Sequence, residues 1–159
     1  MTILPLRRTV LLFAASFAAL ATLNAADTSA PTASKISPAA KLGSAVFDWD
    51  KLSVKPTKVG ERRDLFDAPA ATLTNFECHI TTIKPGESPH APHRHPDEEI
   101  IVVKEGTLEV NINGQFQRAG AGSVFFFASN DLHGMRNVGT VPATYHVFRF
   151  ITPLTPPAK

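Results

Sequence analysis

The sequence has little cysteine, little excess charge and few long apolar runs. Its 159 residues contain a single cysteine, Cys78, which excludes an intramolecular disulfide framework and a cysteine-rich zinc module. The 16 Lys and Arg nearly balance the 14 Asp and Glu. The length suits one domain. It is too short for a Rossmann dehydrogenase with a substrate domain, or for a TIM barrel of typical size.

The one long apolar run, residues 9–23, lies near the N-terminus and follows Arg7 and Arg8. A basic start, an apolar stretch and a small-residue exit are the order of a secretory signal. The run is shorter than the roughly 20 residues that a membrane span needs. We therefore expect a signal peptide over residues 1–25, no stable membrane anchor after its cleavage, and an exported protein, periplasmic or secreted. The arginine pair also resembles a twin-arginine signal, but the apolar residue before it favours the ordinary secretory route.

Without its signal peptide the chain is neutral. The two arginines are the only charges in residues 1–25, so 14 basic and 14 acidic residues remain. The remaining sequence therefore has no basic patch that would indicate a nucleic-acid partner. In residues 26–45, 14 of 20 are Ala, Ser, Thr or Pro, a composition that predicts a flexible linker. Residues 152–159 hold three prolines and are expected to form a Pro-rich tail. The folded domain is then 46–151.

This domain has the pattern of an all-β protein. Short apolar stretches rich in Val, Ile, Thr and Phe are separated by Gly, Pro and Asn, which is typical of a sandwich or barrel. The connections are too short for helices, so the strands should pair antiparallel, with a two-residue hairpin turn at Asn113-Gly114. Strands are expected at 73–83, 99–103, 108–112, 123–127, 132–137 and 144–151, with one more starting near Phe116.

Two of these strands are apolar on both faces, at residues 100–103 and 124–127. A sheet with one solvated face should alternate apolar and polar residues. The outer face should therefore be covered, and we expect a homodimer interface there. The alternative is that Val46, Phe47 and Trp49 of the N-terminal segment cover it.

Histidines and a carboxylate cluster in the middle of the domain. In His93-Arg94-His95 the two imidazoles share one face of an extended chain. Glu99 follows four residues later at the start of the next strand, where a hairpin can fold its carboxylate back. Glu99 should share an inward face with Ile101 and Val103, whereas Glu98 should point out. Imidazoles with one carboxylate suit a divalent transition metal with open positions. The acidic run Asp97–Glu99 is weak evidence by itself, because such runs are usually solvated. Taken alone, each of His79, His90 and His146 is expected to be a hydrogen-bonded or surface residue without a functional role.

The first cluster belongs to a longer pattern, which begins at Gly86, continues through His93-Arg94-His95 and Glu99, and reaches Gly106 six residues later. A second pattern runs from Gly122 through five residues to Ala128-Ser129-Asn130, then two residues to His133 and three to Asn137. Together, and in this order, the two patterns resemble the two motifs of the cupin superfamily over about residues 73–151.

The sequence departs from the family's motifs in three places. Six residues separate Gly86 and His93, where the family has five. In the second motif Ala128 replaces a proline and Asn130 replaces a glycine. Asn tolerates left-handed backbone angles, so the turn can survive.

The resemblance implies a fold and a metal site. The fold would be a double-stranded β-helix, or jelly-roll barrel, and the metal ligands would be His93, His95, Glu99 and His133. The implied cofactor is one divalent transition metal, with Fe, Mn, Zn, Ni and Cu all compatible.

The resemblance leaves the reaction open, because cupins include several enzyme classes as well as binding proteins. We expect a metal-dependent enzyme, dioxygenase-like or lyase/isomerase-like, that acts on a small organic molecule, either neutral or anionic. The alternatives are a non-catalytic module that binds metal, sugar or carboxylate, and a purely structural protein. His90 and Arg94 are the candidate catalytic residues. Phe125 and Phe127 share a face that would form either a pocket wall or plain core. The arginines that could hold an anionic substrate are Arg62, Arg63, Arg94, Arg136 and Arg149.

Overall fold

The computed structural model describes residues 40–158. The predicted signal peptide and most of the predicted linker lie outside the described residues. Within 40–158 no helix is long and apolar enough to cross a membrane. A 3-10 turn at Trp49–Lys51 precedes nine strands: β1 Lys55–Pro56, β2 Gly60–Ala68, β3 Asn75–Ile83, β4 Glu98–Glu105, β5 Thr107–Ile112, β6 Gln115–Gly120, β7 Val124–Phe127, β8 His133–Asn137 and β9 Ala143–Ile151.

The strands form two antiparallel sheets. One has six strands in the order β1-β2-β3-β9-β4-β7, and the other has three in the order β6-β5-β8. The last strand, β9, pairs with both β3 and β4, so the C-terminal end of the domain lies in the middle of the larger sheet. The predicted all-β jelly-roll barrel is confirmed.

Alternation along the strands places the core between the sheets. In β4, Glu99, Ile101 and Val103 are buried while the residues between them are more exposed, as the period of two requires. Glu99 thus shares the inward face that its sequence position predicted. The apolar core consists of Ile83, Ile101, Val103, Leu108, Val110, Phe127, Met135, Ala143, Tyr145 and Val147.

The tight turns follow the turn residues of the sequence. Asn113 and Gly114 have positive φ values of 50° and 87°, the backbone that a two-residue hairpin requires between β5 and β6. Asn130 has φ of 62°, so it adopts the left-handed conformation expected where the cupin motif has glycine.

Strand β2 was not predicted. Its sequence, GERRDLFDA, carries five charged residues, so it lacks the apolar alternation that marks a strand. The pairing with β3 explains how it forms: Arg62 on β2 bonds Glu77 on β3 at 2.9 Å. On the outer face, Phe66 packs against Phe76 with ring centroids 4.9 Å apart.

The outer face of the larger sheet is only partly covered. Phe47 packs on Phe66 at 5.4 Å, and Trp49 lies against the cationic groups of Arg63 and Lys104. These contacts cover the outer face at β2 and at Lys104, whereas Val46, the third residue of the alternative, is 86% exposed. On β7, the apolar side chains of Val124 and Phe126 stay more than half exposed.

Candidate metal centre

A backbone bridge brings the two sequence motifs together. His93 N donates to His133 O at 2.9 Å, and His133 N donates to His93 O at 3.0 Å. This bridge ties the loop before β4 to the start of β8. His95 follows two residues after His93, and its ring lies 4.7 Å from that of His133. Three imidazoles from two distant parts of the sequence therefore meet at one end of the barrel.

The three imidazoles present nitrogen atoms that have no partner. His95 Nδ1 bonds Asp97 O at 2.8 Å, and His133 Nδ1 bonds Asp131 O at 2.9 Å. These bonds make Nδ1 the protonated nitrogen and leave Nε2 with its lone pair. His95 Nε2, His133 Nε2 and His93 Nδ1 are buried and make no hydrogen bond within residues 40–158. One nitrogen from each ring lies within 4.8 Å of the others.

Buried polar atoms normally have a hydrogen-bond partner. Three clustered, buried nitrogens without one therefore indicate a binding site for a group that accepts their lone pairs. Burial, followed by the neighbouring imidazoles of His90, His133 and His95, lowers the pKa of His93 to about 4. Burial also lowers the pKa of His133. Neutral imidazoles are the form that binds a metal ion, so these residues fit one.

The carboxylate of Glu99 lies beside one of the three imidazoles. Its Oε2 lies 3.3 Å from His95 Nε2, and this contact raises the pKa of His95. Three of the four residues expected as ligands, His93, His95 and His133, thus form one cluster, and Glu99 lies beside His95. Phe127, the register partner of Glu99 on β7, stacks on the His133 ring at 4.2 Å and 12° and fixes its plane from behind.

A cavity of about 510 Å³ opens beside this cluster. His93 and Glu99 border it from the side of the cluster, whereas Glu77, His79 and Tyr145 border it from β3 and β9. Its walls therefore combine the candidate ligands with a second group of polar side chains. A space of this size accommodates a small organic molecule.

An acidic residue expected in a solvated run proves to be buried. Asp97 is 3% exposed, because Arg149 on β9 binds its carboxylate. Arg149 also bonds Glu77 at 3.2 Å and lies 3.8 Å from Glu99 Oε2. No local sequence pattern indicates this pairing, since Arg149 is 52 positions from Asp97.

The two candidate catalytic residues lie in different places. His90 is exposed at the border of the cavity, with its ring 4.3 Å from that of His93. Arg94 is exposed, does not line the cavity, and donates to Asn130 O at 2.6 Å. Arg94 therefore ties the two motif loops together on the outside of the barrel.

Of the five arginines proposed to hold an anion, only Arg62 and Arg149 line the cavity. Both are already bonded to Glu77. Arg63 lies over Trp49, and Arg136 bonds Glu109 on the surface.

Sequence reasoning missed two polar residues of the cavity wall, Glu77 and His79. The signal was available, because a Glu-x-His spacing within a predicted strand places both side chains on one face, as for His93 and His95. Without a neighbour across the sheet, however, the same spacing fits a surface strand.

Comparison with known proteins agrees with this geometry. Residues 79–149 match the model of the Cupin_2 family, described as the cupin domain. The match spans both motifs and agrees with the fold, so residues 79–149 have the sequence pattern and the fold of a cupin domain. No curated protein matches the sequence.

Several solved structures share the fold at low sequence identity. A RmlC-like cupin from Shewanella frigidimarina has a TM-score of 0.57 at 17% identity, covering 70% of this chain and 95% of its own. The polyketide cyclase RemF from Streptomyces resistomycificus has a TM-score of 0.57 at 19% identity, and the match covers 70% of this chain and 82% of RemF. A sugar phosphate isomerase from Silicibacter pomeroyi has a TM-score of 0.54 at 20% identity, and the match covers 68% of this chain and 76% of the isomerase. At these identities the likeness establishes the fold alone.

Proposed function

We propose that this cupin is a metal-dependent enzyme that acts on a small organic molecule bound in the cavity. The observation that carries the proposal is the set of three orphaned imidazole nitrogens of His93, His95 and His133, within 4.8 Å of one another. With Glu99, which lies 3.3 Å from His95 Nε2, they would supply a three-nitrogen, one-oxygen donor set, which suits a divalent transition metal. When bound, such a metal would polarise a substrate oxygen or lower the pKa of a water molecule.

The chain's own residues would prepare the site for this chemistry. The carbonyls of Asp97 and Asp131 hold two of the imidazoles in the tautomer that leaves Nε2 free. Phe127 keeps the His133 ring in place. The cavity beside His93 and Glu99 admits the substrate. A wall of convergent polar groups favours catalysis over the alternative of a passive binding module.

Metal titration tests the proposal. We expect the purified protein to bind one equivalent of Zn²⁺ or Mn²⁺ per chain, measured by elemental analysis after dialysis and by chelator competition. His133→Ala should abolish this binding, whereas His146→Ala should keep it, because His146 does not line the cavity. A wild-type protein that retains no metal, or a His133→Ala variant that retains it fully, would refute the proposal.

We also propose that the protein is a homodimer through the outer face of β4 and β7. Support comes from Val124 and Phe126, which are 62% and 53% exposed on a strand at the edge of the larger sheet. Phe126→Lys should give monomers in light scattering coupled to size exclusion. Phe116→Lys is the matched control, because Phe116 is similarly exposed but lies on the other sheet. Dimers that survive Phe126→Lys would exclude this interface.

Export is proposed on the sequence of residues 1–25 alone. The expected mature protein begins near Ala26 and accumulates outside the cytoplasm. Intact-mass measurement on the fractionated native protein tests this expectation, and a full-length cytoplasmic product would contradict it.

A further inference from the structure

Glu77 and His79 lie on the cavity side of β3, facing the candidate metal centre. Both border the same cavity as His93 and Glu99. Alternation along β3 puts Glu77, His79 and Thr81 on this inner side, and the residues between them on the outer face. His79 is only 8% exposed, so its imidazole forms part of the cavity wall and does not lie on the outer surface of the protein.

Glu77 fixes the imidazole of His79. Its Oε1 lies 2.9 Å from His79 Nδ1 and also accepts from Arg62 Nη2 at 2.9 Å, while Oε2 accepts from Arg149 Nη1 at 3.2 Å. Two guanidinium groups hold the carboxylate ionised and in one orientation. An ionised carboxylate can only accept a hydrogen bond, so Nδ1 must donate. Nε2 is then the nitrogen of His79 that carries the lone pair.

The separation of these groups leaves room for a substrate. In register across the sheet, Glu77 pairs with Arg149, and Arg149 pairs with Glu99. Strands β3 and β4 are thus two strand spacings apart, about 10 Å. Strand β9 lies between them, and the cavity of about 510 Å³, bordered by residues of all three strands, lies over this face of the sheet. A molecule of a few carbon and oxygen atoms could contact the metal centre and His79 at the same time.

We propose that His79 is the general acid and base of this cavity, that Glu77 is its positioning residue, and that the substrate is a small hydroxy-carbonyl compound. The inference rests on the proposed metal-dependent function. A base oriented by a carboxylate is suited to proton transfer, and a carbon next to a carbonyl group is where a C–H proton is acidic enough to be moved.

The proton step balances without an oxidant or a reductant. Nε2 of His79 accepts a proton from the carbon that bears the hydroxyl group, and the C–H electron pair forms a double bond to the carbonyl carbon. The carbonyl π pair moves onto its oxygen, which receives the hydroxyl proton. The oxygen that lost the hydroxyl proton then forms the new C=O bond, and the C=C π pair takes the proton back from Nε2 at the former carbonyl carbon. The product is an isomer, and His79 is again neutral.

Hydrogen exchange in dihydroxyacetone tests the assignment. With Zn²⁺-loaded protein in D₂O, we expect the CH₂ signal in proton NMR to decay faster than with Zn²⁺ alone. His79→Gln should slow the protein-catalysed decay at least about 100-fold, the usual effect of a general base, without changing zinc content. His146→Gln, which changes a histidine that does not line the cavity, should exchange at the wild-type rate.

The positioning role of Glu77 has a readout that needs no metal. In the metal-free protein, nitrogen NMR of the imidazoles should show His79 protonated at Nδ1. Glu77→Gln should weaken that preference and slow exchange at least about tenfold, while the zinc content stays the same. Wild-type tautomer populations in Glu77→Gln would refute the positioning role.

The outcomes separate the two proposals. A protein that binds zinc but does not accelerate exchange, or a His79→Gln variant as fast as the wild type, overturns the assignment and leaves the metal site intact. A protein that binds no zinc defeats the proposed metal function. In that case exchange by the metal-free wild type, compared with His79→Gln, still decides the role of His79.

Discussion

Arg149 donates two hydrogen bonds to the carboxylate of Asp97, from Nε to Oδ2 at 2.6 Å and from Nη2 to Oδ1 at 3.0 Å. Asp97 in turn contacts His95 Nδ1 through its main-chain oxygen at 2.8 Å and its carboxylate at 3.2 Å. A strand at the end of the sequence thus holds a residue that orients a candidate ligand. Such outer contacts set the direction and basicity of a metal-binding imidazole.

Replacing Arg149 should therefore weaken metal binding. We expect Arg149→Met to lower zinc affinity about 10- to 100-fold, the usual effect of losing an outer-shell partner, and to destabilise the fold by about 2 kcal/mol because Asp97 loses its partner. Arg149→Lys keeps the charge but not the bidentate geometry. The zinc affinity of this variant should therefore lie between those of the wild type and Arg149→Met. Chelator competition measures the affinity.

The matched control for Arg149 is Arg118→Met. Arg118 is also bonded to a glutamate, Glu109, but it is 68% exposed and lies on the smaller sheet. The Arg118→Met substitution should therefore leave the zinc affinity unchanged. Equal affinities for Arg149→Met and the wild type would show that the Asp97 contact does not affect the metal centre.

Gly106, between β4 and β5, should be less tolerant of a side chain than Gly114. Both have positive φ, 86° and 87°, so alanine strains the backbone by about 1–2 kcal/mol at either. A Cβ at Gly106 would also lie 2.5 Å from Ala143 Cα, whereas at Gly114 it meets nothing within 4 Å. We expect Gly106→Ala to lose about 3 kcal/mol or more in urea unfolding and Gly114→Ala about 1. Similar losses would mean that β9 moves aside without cost.

The parts of the fold that the sequence predicted are those with local signals. The turn at Asn113-Gly114 and the inward face of Glu99, Ile101 and Val103 depend on neighbours within a few residues. Strand β2 gives no such signal. Its charged residues become compatible with a strand only through partners such as Glu77, 15 positions away from Arg62.

The same distinction holds at the candidate site. His93, His95 and Glu99 could be grouped by spacing, and the family motif added His133. The burial of Asp97 could not be predicted, because it depends on a pairing with β9 that forms only in the folded sheet. The position of Arg94 was open for the same reason, since its partner is the main chain of the second motif.

Cys78 should be unreactive in the folded protein. It is 1% exposed on the outer face of β3, where burial raises the pKa of its thiol to about 12. At pH 8 the thiolate fraction would be on the order of 10⁻⁴. A disulfide reagent should label no thiol in native protein and one per chain in denaturant. Val46→Cys in a Cys78→Ala background should react at once, because Val46 is 86% exposed. Rapid native labelling of Cys78 would contradict the burial.

Acid should destabilise the protein through Glu77. Its hydrogen bond with His79, reinforced by Arg62 and Arg149, holds the pKa of Glu77 at about 2, against an ordinary value of 4.5. A carboxyl group with a depressed folded pKa stabilises the fold fully above its unfolded pKa, and that contribution is lost as the pH falls towards the folded value. The window is therefore about pH 4.5 down to 2. Because Glu77 is half-buried, solvent screening reduces the contribution to about 1–2 kcal/mol.

Glu77→Gln isolates this contribution, because glutamine has the shape of the protonated acid. Urea unfolding at a series of pH values should show the wild type more stable than Glu77→Gln at pH 6, with the difference shrinking to zero near pH 2. Glu105→Gln is the control, since the side chain of Glu105 is 56% exposed and its ion pair with Lys104 is long, at 3.8 Å. Its difference from the wild type should stay small throughout. A Glu77→Gln difference that does not change with pH would show that the charge of Glu77 does not stabilise the fold.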